Sequence, residues 1–202
     1  SWRTYMPDWE YRLWCEDNFD INKAPRYVQE AYAAKKYAFV SDYVRLWALE
    51  QYGGLYMDVD FEVYRPFDDL MEKYDAFAGY EGSKRNPVMM GVIAAKAHHP
   101  LIQGMLQTYT DRAFVLADGS LDMTPNTGYF LHWMLERGFE ADGKEKDFMG
   151  VHILPVDCFC PVLTTGENIR SERTYCEHKG SHSWSGNGRW KAKVLKLFGP
   201  TI

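Results

Sequence analysis

The chain has few cysteines, no long apolar run and no excess of basic residues, and each of these limits its class. Its four cysteines in 202 residues form no Cys-x-x-Cys pair and no zinc spacing, which argues against a disulfide scaffold or a zinc module. No apolar stretch approaches the roughly 20 residues of a membrane-spanning helix. The net charge of -5 disfavours nucleic acid as a partner, because such binding usually needs a basic face.

Two further absences bear on function and location. No Walker-type glycine-rich loop with a lysine is present, which argues against a P-loop enzyme. No secretory signal is visible, so we expect a cytoplasmic protein. Peripheral association with the inner face of the membrane, through the basic segment 189–196, stays open.

The residues that are present predict an α/β domain with a large core. Hydrophobic residues make up 46% of the chain and aromatic residues 16%. We see no internal repeat and no linker, so we expect one domain over residues 1–202. Strand patterns alternate with helix patterns, which is typical of α/β proteins. We predict strands at 9–16, 55–57, 61–63, 76–80, 88–95, 151–155 and 173–176, helices at 25–34, 38–52, 99–109 and 127–137, and loops at 141–147 and 180–188.

An acidic pair directly follows one of the short apolar strands. The helix over 38–52 ends at Gly53, a position that suits a helix terminator. The strand over 55–57 then leads to Asp58 and Asp60, whose side chains point to one side of an extended chain. Mg²⁺ and similar cations prefer oxygen ligands and often bind carboxylates together with substrate phosphates. The pair therefore predicts a metal–diphosphate site, although an Asp-x-Asp also occurs in ordinary solvated turns.

Asp42 and Arg45 lie three residues apart on the preceding helix. That spacing places them on one face, where they can pair. Both are close enough to the glycine pair to fold back beside the acids. The alternative is an ordinary surface salt bridge.

The C-terminal part adds polar groups that suit a metal–phosphate site. His178 can supply a neutral imidazole, which Mn²⁺ accepts as a ligand. Ser183 and Trp184 offer a hydroxyl and an indole N–H to phosphate oxygens. The alternative is a polar loop with a packed tryptophan. Similarly, Asn126 to Gly128 either place an amide and a helix start near an anion or only cap a helix.

Taken together, these residues resemble the glycosyltransferase family with a DXD sugar-binding region. This family includes bacterial capsular polysaccharide synthesis proteins and the yeast mannosyltransferase that initiates outer-chain synthesis. The matching elements are Ser41-Asp42-x-x-Arg45, Tyr52-Gly53-Gly54-x-Tyr56-x-Asp58-x-Asp60, His98-His99-Pro100 and the ending His178…Ser183-Trp184.

The resemblance implies a fold, a reaction and a cofactor. The fold is GT-A-type, a Rossmann-like mixed sheet flanked by helices. Members usually begin with a strand that would precede Ser1, so we expect the sheet without that first strand. The reaction is hexosyl transfer with retention from a nucleoside diphosphate sugar (a UDP- or GDP-sugar) to a saccharide acceptor, in capsular or surface polysaccharide synthesis. The cofactor is Mn²⁺ or Mg²⁺.

The resemblance also assigns roles to residues. The metal ligands are Asp58, Asp60 and His178, and the catalytic residues are Asp42, Arg45 and Asp60. The donor-binding residues are Asp42, Arg45, Gly54, Tyr56, Asp58, Ser183 and Trp184.

Two other functions stay open from the sequence. One is a catalytically inactive module that binds a nucleotide sugar. The other is a metal-dependent phosphoryl or nucleotidyl transferase, because that chemistry also uses paired acids.

Overall fold

The structure, a computed structural model, describes residues 1–82 and 86–179 and the backbone of 192–195. The helices in these ranges are α1 (Trp2–Tyr5), α2 (Arg26–Ala33), α3 (Tyr37–Tyr52), α4 (Asp68–Lys73), α5 (Pro100–Gln107), α6 (Asn126–Leu135) and α7 (Val156–Phe159), with a 3₁₀ turn at Ile21–Lys23. The strands are β1 (Tyr11–Trp14), β2 (Gly54–Met57), β3 (Phe61–Val63), β4 (Ala76–Tyr80), β5 (Val88–Ala95), β6 (Lys146–Phe148), β7 (Val151–Leu154), β8 (Cys176–His178) and β9 (Ala192–Leu195).

Seven of these strands form one mixed sheet in the order β1-β9-β2-β5-β4-β7-β6. Strand β4 pairs with β7 in parallel, whereas the other neighbours are antiparallel. Because β2 and β4 both run antiparallel to β5, they run parallel to each other. The carboxyl ends of β2, β4 and β7 therefore lie on the same side of the sheet, at the ends of the strands. A separate ladder pairs β3 with β8.

Apolar side chains fill both faces of the sheet. Tyr56 and Ile93 belong to one buried cluster, which also takes residues from α2, α3, α5 and α6. Their neighbours Leu55 and Val92 belong to a second cluster, which includes residues of α4 and α7. Alternate strand residues point to opposite faces, so helices cover both sides of the sheet. The predicted mixed α/β sheet flanked by helices is confirmed.

An irregularity in β5 helps to place the candidate site. The register between β4 and β5 shifts between Ala78, which opposes Ile93, and Tyr80, which opposes Val88. Strand β5 thus carries extra residues in this stretch, as at a β-bulge. The carbonyl groups of two of them, Met90 and Gly91, accept hydrogen bonds from groups of the acidic site described below.

Most predicted elements are confirmed, and the errors lie in segments with weak patterns. The charged loop predicted over 141–147 is wrong at its end, because β6 begins at Lys146 and pairs with β7 as an edge strand. The strand predicted over 173–176 lies further along the chain as β8, where it pairs with β3. Helix α7 is absent from the sequence prediction. The loop predicted over 180–188 lies outside the described residues.

Candidate functional site

A glycine pair turns the chain from α3 into β2. Gly53 and Gly54 have φ angles of 65° and 110°, a region that L side chains rarely adopt. The Gly53 N–H donates to the Leu49 carbonyl at 2.8 Å and closes the helix. The reversal packs α3 against the sheet face that carries Tyr56, within one cluster. Residues of α3 thereby come to lie beside the acids that follow β2.

Arg45 is the centre of a buried polar network. Its Nη1 donates to the Met90 carbonyl at 2.6 Å. Its Nη2 lies 2.7 Å from Asp42 Oδ1 and 3.5 Å from Asp58 Oδ1. The guanidinium also stacks 4.6 Å from the centroid of the Tyr56 ring. Burial disfavours its charge, but Asp58, Tyr56 and Asp42 outweigh that effect and raise the pKa of Arg45.

Asp58 is held from two sides. Its Oδ1 accepts a hydrogen bond from the Tyr56 hydroxyl. Its Oδ2 lies close to Gly91, since a Cβ added to Gly91 would be 2.9 Å from that oxygen. The backbone N–H of Asp58 donates to the Gly91 carbonyl at 2.8 Å. The carboxylate remains 32% exposed, so a ligand can reach it.

Asp60 meets His178 across the β3–β8 ladder. Strand pairing places Phe61 opposite His178, and the Lys179 N–H donates to the Asp60 carbonyl at 2.9 Å. His178 Nε2 lies 3.2 Å from Asp60 Oδ1. The imidazole stacks on the Phe61 ring at 4.7 Å between centroids. Its hydrogen bond with Asp60 raises the pKa of His178, and the charge of Asp58 acts in the same direction.

Asp42 is a mostly buried carboxyl group beside this network. Its side chain is 16% exposed. Burial raises the pKa of Asp42 to about 6, while Arg45 opposes this shift, Asp58 adds to it and Arg112 opposes it. The group therefore changes charge in a range that a pH titration can reach.

The donor atoms suit a hard divalent cation. Asp58 and Asp60 provide carboxylate oxygens, and His178 lies at hydrogen-bonding distance from Asp60. Within residues 1–82 and 86–179, no group of three or more His, Cys, Asp or Glu residues is arranged to hold an ion. Mg²⁺ needs only one or two protein carboxylates when substrate phosphates complete its shell. The two aspartates therefore fit an ion that binds together with a diphosphate.

Glu81 is an acidic residue near the site that the sequence interpretation missed. It follows β4 directly and is partly exposed. Burial raises the pKa of its carboxyl group, and the charge of His178 opposes that shift, so the two groups lie within electrostatic range of each other. Since β2 and β4 are parallel, Asp58 and Glu81 both follow the carboxyl ends of their strands on the same side of the sheet. A carboxylate after a buried apolar run was the available signal.

The remaining predicted residues fall in three places. Tyr56 is buried under Arg45 and contacts Asp58. Gly54 lies at the opposite end of β2 from Asp58, and its donor-binding role stays a prediction. Ser183 and Trp184 lie outside the described residues.

A family model matches the part of the chain that contains the acidic pair. Residues 1–77 match the model described as a glycosyltransferase sugar-binding region containing a DXD motif. This match supports the glycosyltransferase family. Asp58-Val59-Asp60 supplies the DXD motif of this region, and the mixed sheet is consistent with a GT-A-like fold.

The other comparisons give no relative. No curated protein and no solved structure matches the chain. In the part of the chain that the structure describes, no helix is both long and apolar enough to span a membrane.

Proposed function

We propose that the protein transfers a hexosyl group from a UDP- or GDP-sugar to a hydroxyl group of a saccharide, with divalent-metal dependence and retention of configuration. The observation that carries this proposal is the contact of Arg45 with Asp42 and Asp58, two residues before the Asp60–His178 pair, together with the electrostatic effect of Asp58 on His178. Most of these residues lie inside the region that matches the DXD family model. The family resemblance supports retention and a role in bacterial capsular or surface polysaccharide synthesis in the cytoplasm.

The main chemical requirement of this reaction is to stabilise the negative charge that develops on the leaving group. Breaking the anomeric C–O bond leaves negative charge on the nucleoside diphosphate. Asp58 and Asp60 would hold Mn²⁺ or Mg²⁺, with His178 beside them, and the bound ion would neutralise that charge. Attack by the acceptor hydroxyl on the face from which the diphosphate leaves gives retention without an enzymic nucleophile.

Arg45 fits a positioning role in this scheme. Both of its terminal nitrogens contact protein groups, and the residue is only 5% exposed. Its Nη2 contacts both Asp42 and Asp58, which preorganises the two carboxylates before a ligand arrives. Asp42, in its ionised form, is then placed to accept a hydrogen bond from a hydroxyl group of the donor sugar.

A turnover assay with isosteric variants tests the proposal. Release of free UDP or GDP from a panel of UDP- and GDP-hexoses is measured with Mn²⁺ and with excess chelator, with and without saccharide acceptors. We expect turnover that requires the metal and falls at least about 100-fold in Asp58→Asn and Asp60→Asn, which exceeds the usual effect of losing a supporting residue. The matched control is Asp8→Asn at an exposed aspartate.

Two outcomes separate this proposal from its competitor. Binding of a sugar nucleotide without turnover supports a non-catalytic module, for which the restriction of the family match to residues 1–77 is the favouring observation. Chelator-resistant turnover, or full activity in Asp60→Asn, contradicts the metal-dependent mechanism.

A further inference from the structure

Arg112 has buried N–H groups that no described residue satisfies. Its side chain is 10% exposed, and Nη2 pairs with Asp122 at 3.1 Å. Its Nε and Nη1 are buried and have no hydrogen-bond partner among the described residues. Its guanidinium carbon lies 3.5, 4.3 and 5.0 Å from the ring centroids of Tyr129, Tyr27 and Tyr109. Unsatisfied buried donors on a charged group are costly, so this arrangement points to a missing ligand.

Asn126 has a second unsatisfied donor near the same place. This residue is 7% exposed, and its Nδ2 lacks a hydrogen-bond partner within the described ranges. It begins α6, and Tyr129, which stacks against Arg112, lies three residues later. Residues at that spacing share a helix face, so Asn126 and the Arg112 guanidinium adjoin the same first turn of α6.

One member of this pair, Arg112, is coupled electrostatically to Asp42 of the acidic site. Burial raises the pKa of Asp42, and the positive charge of Arg112 partly offsets the increase, so the two groups lie within electrostatic reach. Tyr109 connects Arg112 to α3: its ring centroid lies 5.0 Å from the Arg112 guanidinium carbon and 5.2 Å from the ring centroid of Tyr43, and burial together with the charge of Asp42 raises the pKa of Tyr109.

The charges around this position favour a neutral hydroxylated ligand over an anion. Asp122 already neutralises Arg112, and Asp42 adds a further carboxyl group. A phosphate or carboxylate would meet both acids. A sugar hydroxyl can accept a hydrogen bond from an Arg112 N–H and donate one to a carboxylate such as that of Asp42.

We propose that Arg112 and Asn126 form a subsite for the hydroxyl groups of the donor sugar and help to select that sugar. This inference rests on the proposed function, since it assumes a nucleoside diphosphate sugar bound at Asp58 and Asp60. It adds two residues, from outside the matched region 1–77, to the specificity of the same site.

Calorimetric binding of UDP, GDP and a panel of UDP- and GDP-hexoses in the presence of Mn²⁺ tests this subsite. The variants are Asn126→Ala and Arg112→Lys, with the exposed Asn22→Ala as control. We expect each site variant to weaken binding of the preferred sugar nucleotide about tenfold, while the affinity for the free nucleotide stays within about twofold. Asn22→Ala should change neither.

Asn126→Ala separates ligand binding from a structural role. It removes a donor that has no partner among the described residues, so a merely structural role predicts an unchanged or higher melting temperature and unchanged affinities. If the wild type binds sugar nucleotides and Asn126→Ala binds them equally well, the subsite is wrong and the proposed function stands. If the wild type binds no nucleotide and no sugar nucleotide, the proposed function fails and the subsite fails with it.

Discussion

At the scale of single residues, the acids are held before any ligand arrives. Arg45 contacts Asp42, Asp58 and the Met90 carbonyl from a position that is 5% exposed. The spacing of Asp42 and Arg45 in the sequence predicts their pairing. The contact with Met90 depends on the irregular register of β5, which no local pattern reveals.

The Tyr56 hydroxyl orients Asp58, so Tyr56→Phe should weaken metal-dependent donor binding as well as the fold. The change removes one hydrogen bond to a carboxylate and leaves the buried ring in place. We expect a stability loss of about 1–2 kcal/mol and a loss of Mn²⁺-dependent donor affinity of about tenfold. Chemical denaturation and calorimetric titration measure the two effects.

Tyr80→Phe is the matched control for Tyr56→Phe. Tyr80 is also buried, and its hydroxyl donates to the Lys144 carbonyl at 3.0 Å, away from the acids. It should lose similar stability and keep the affinity for the donor. Equal affinity losses in both variants would contradict a specific role for Tyr56.

Asp42 should give donor binding a pH dependence centred near pH 6. Burial raises the pKa of Asp42 to about 6, against the opposing charge of Arg45, with Asp58 adding to the rise and Arg112 opposing it. Affinity for the donor sugar should therefore increase as pH rises through 6, because the carboxylate accepts a hydrogen bond from a sugar hydroxyl more strongly than the neutral carboxylic acid does. Titrations from pH 5 to 8 should show this step in the wild type.

Asp42→Asn should remove the step near pH 6. The comparison isolates Asp42 from His178, whose pKa is raised by its own partner Asp60 and which titrates in both proteins. The stability of the folded protein depends on the charge of Asp42 in the opposite direction to donor affinity. Because the folded pKa lies above the ordinary 3.8, the folded state binds a proton more strongly and Asp42's contribution is lost as pH rises from about 4 to 6. If the step in donor affinity near pH 6 persists in Asp42→Asn, the step belongs to another group.

At the scale of elements, the site depends on close backbone approach between β2 and β5. Gly91→Ala would place a Cβ 2.9 Å from Asp58 Oδ2 and 3.0 Å from the Phe61 ring. We expect a stability loss of about 1–3 kcal/mol from overpacking and, in addition, lost Mn²⁺-dependent donor binding because Asp58 is displaced. Thermal melting and calorimetric titration distinguish the two effects.

Gly79→Ala is the matched control at another buried strand glycine. Its Cβ would lie 2.5 Å from the Phe159 ring and meets no residue of the acidic site among its nearest contacts. It should destabilise the protein and leave donor affinity unchanged in the folded fraction. If Gly91→Ala also keeps full affinity, Gly91 does not position Asp58.

Strong hydrophobic patterns predicted the helices and strands well, whereas the sequence did not predict strands that form only by pairing at the edge of the sheet. The apolar runs of β4 and β5 fix their bounds, and Gly53 fixes the end of α3. Strand β6 has the sequence Lys-Asp-Phe and becomes a strand only because β7 is available to pair with it. Asp58 and Asp60 could be predicted from their position after an apolar strand, and Asn126 from its position at a helix start. Arg112 carries no local pattern, and only tertiary packing reveals that the buried donors of Arg112 and Asn126 lack partners among the described residues.

At the scale of the whole molecule, strand direction brings the chemistry together. The parallel strands β2 and β4 have their carboxyl ends on the same side of the sheet, where Asp58 and Glu81 follow them. The β3–β8 ladder places His178 beside Asp60, although the two residues lie 118 positions apart in the sequence (178 − 60). Ligands of open α/β sheets bind outside the carboxyl ends of the strands. The site is thus a property of the topology, and the family match at residues 1–77 covers only part of it.

Binding of Mn²⁺ tests the central claim most directly. The electron paramagnetic resonance signal of free Mn²⁺ is measured with the protein alone and with each of a panel of UDP- and GDP-hexoses. We predict that the wild type and one preferred sugar nucleotide together remove about one equivalent of free Mn²⁺ beyond what the nucleotide removes alone, and that Asp60→Asn abolishes this excess. Equal Mn²⁺ binding by wild type and Asp60→Asn, or no excess with any sugar nucleotide, would contradict a metal–diphosphate site at Asp58 and Asp60.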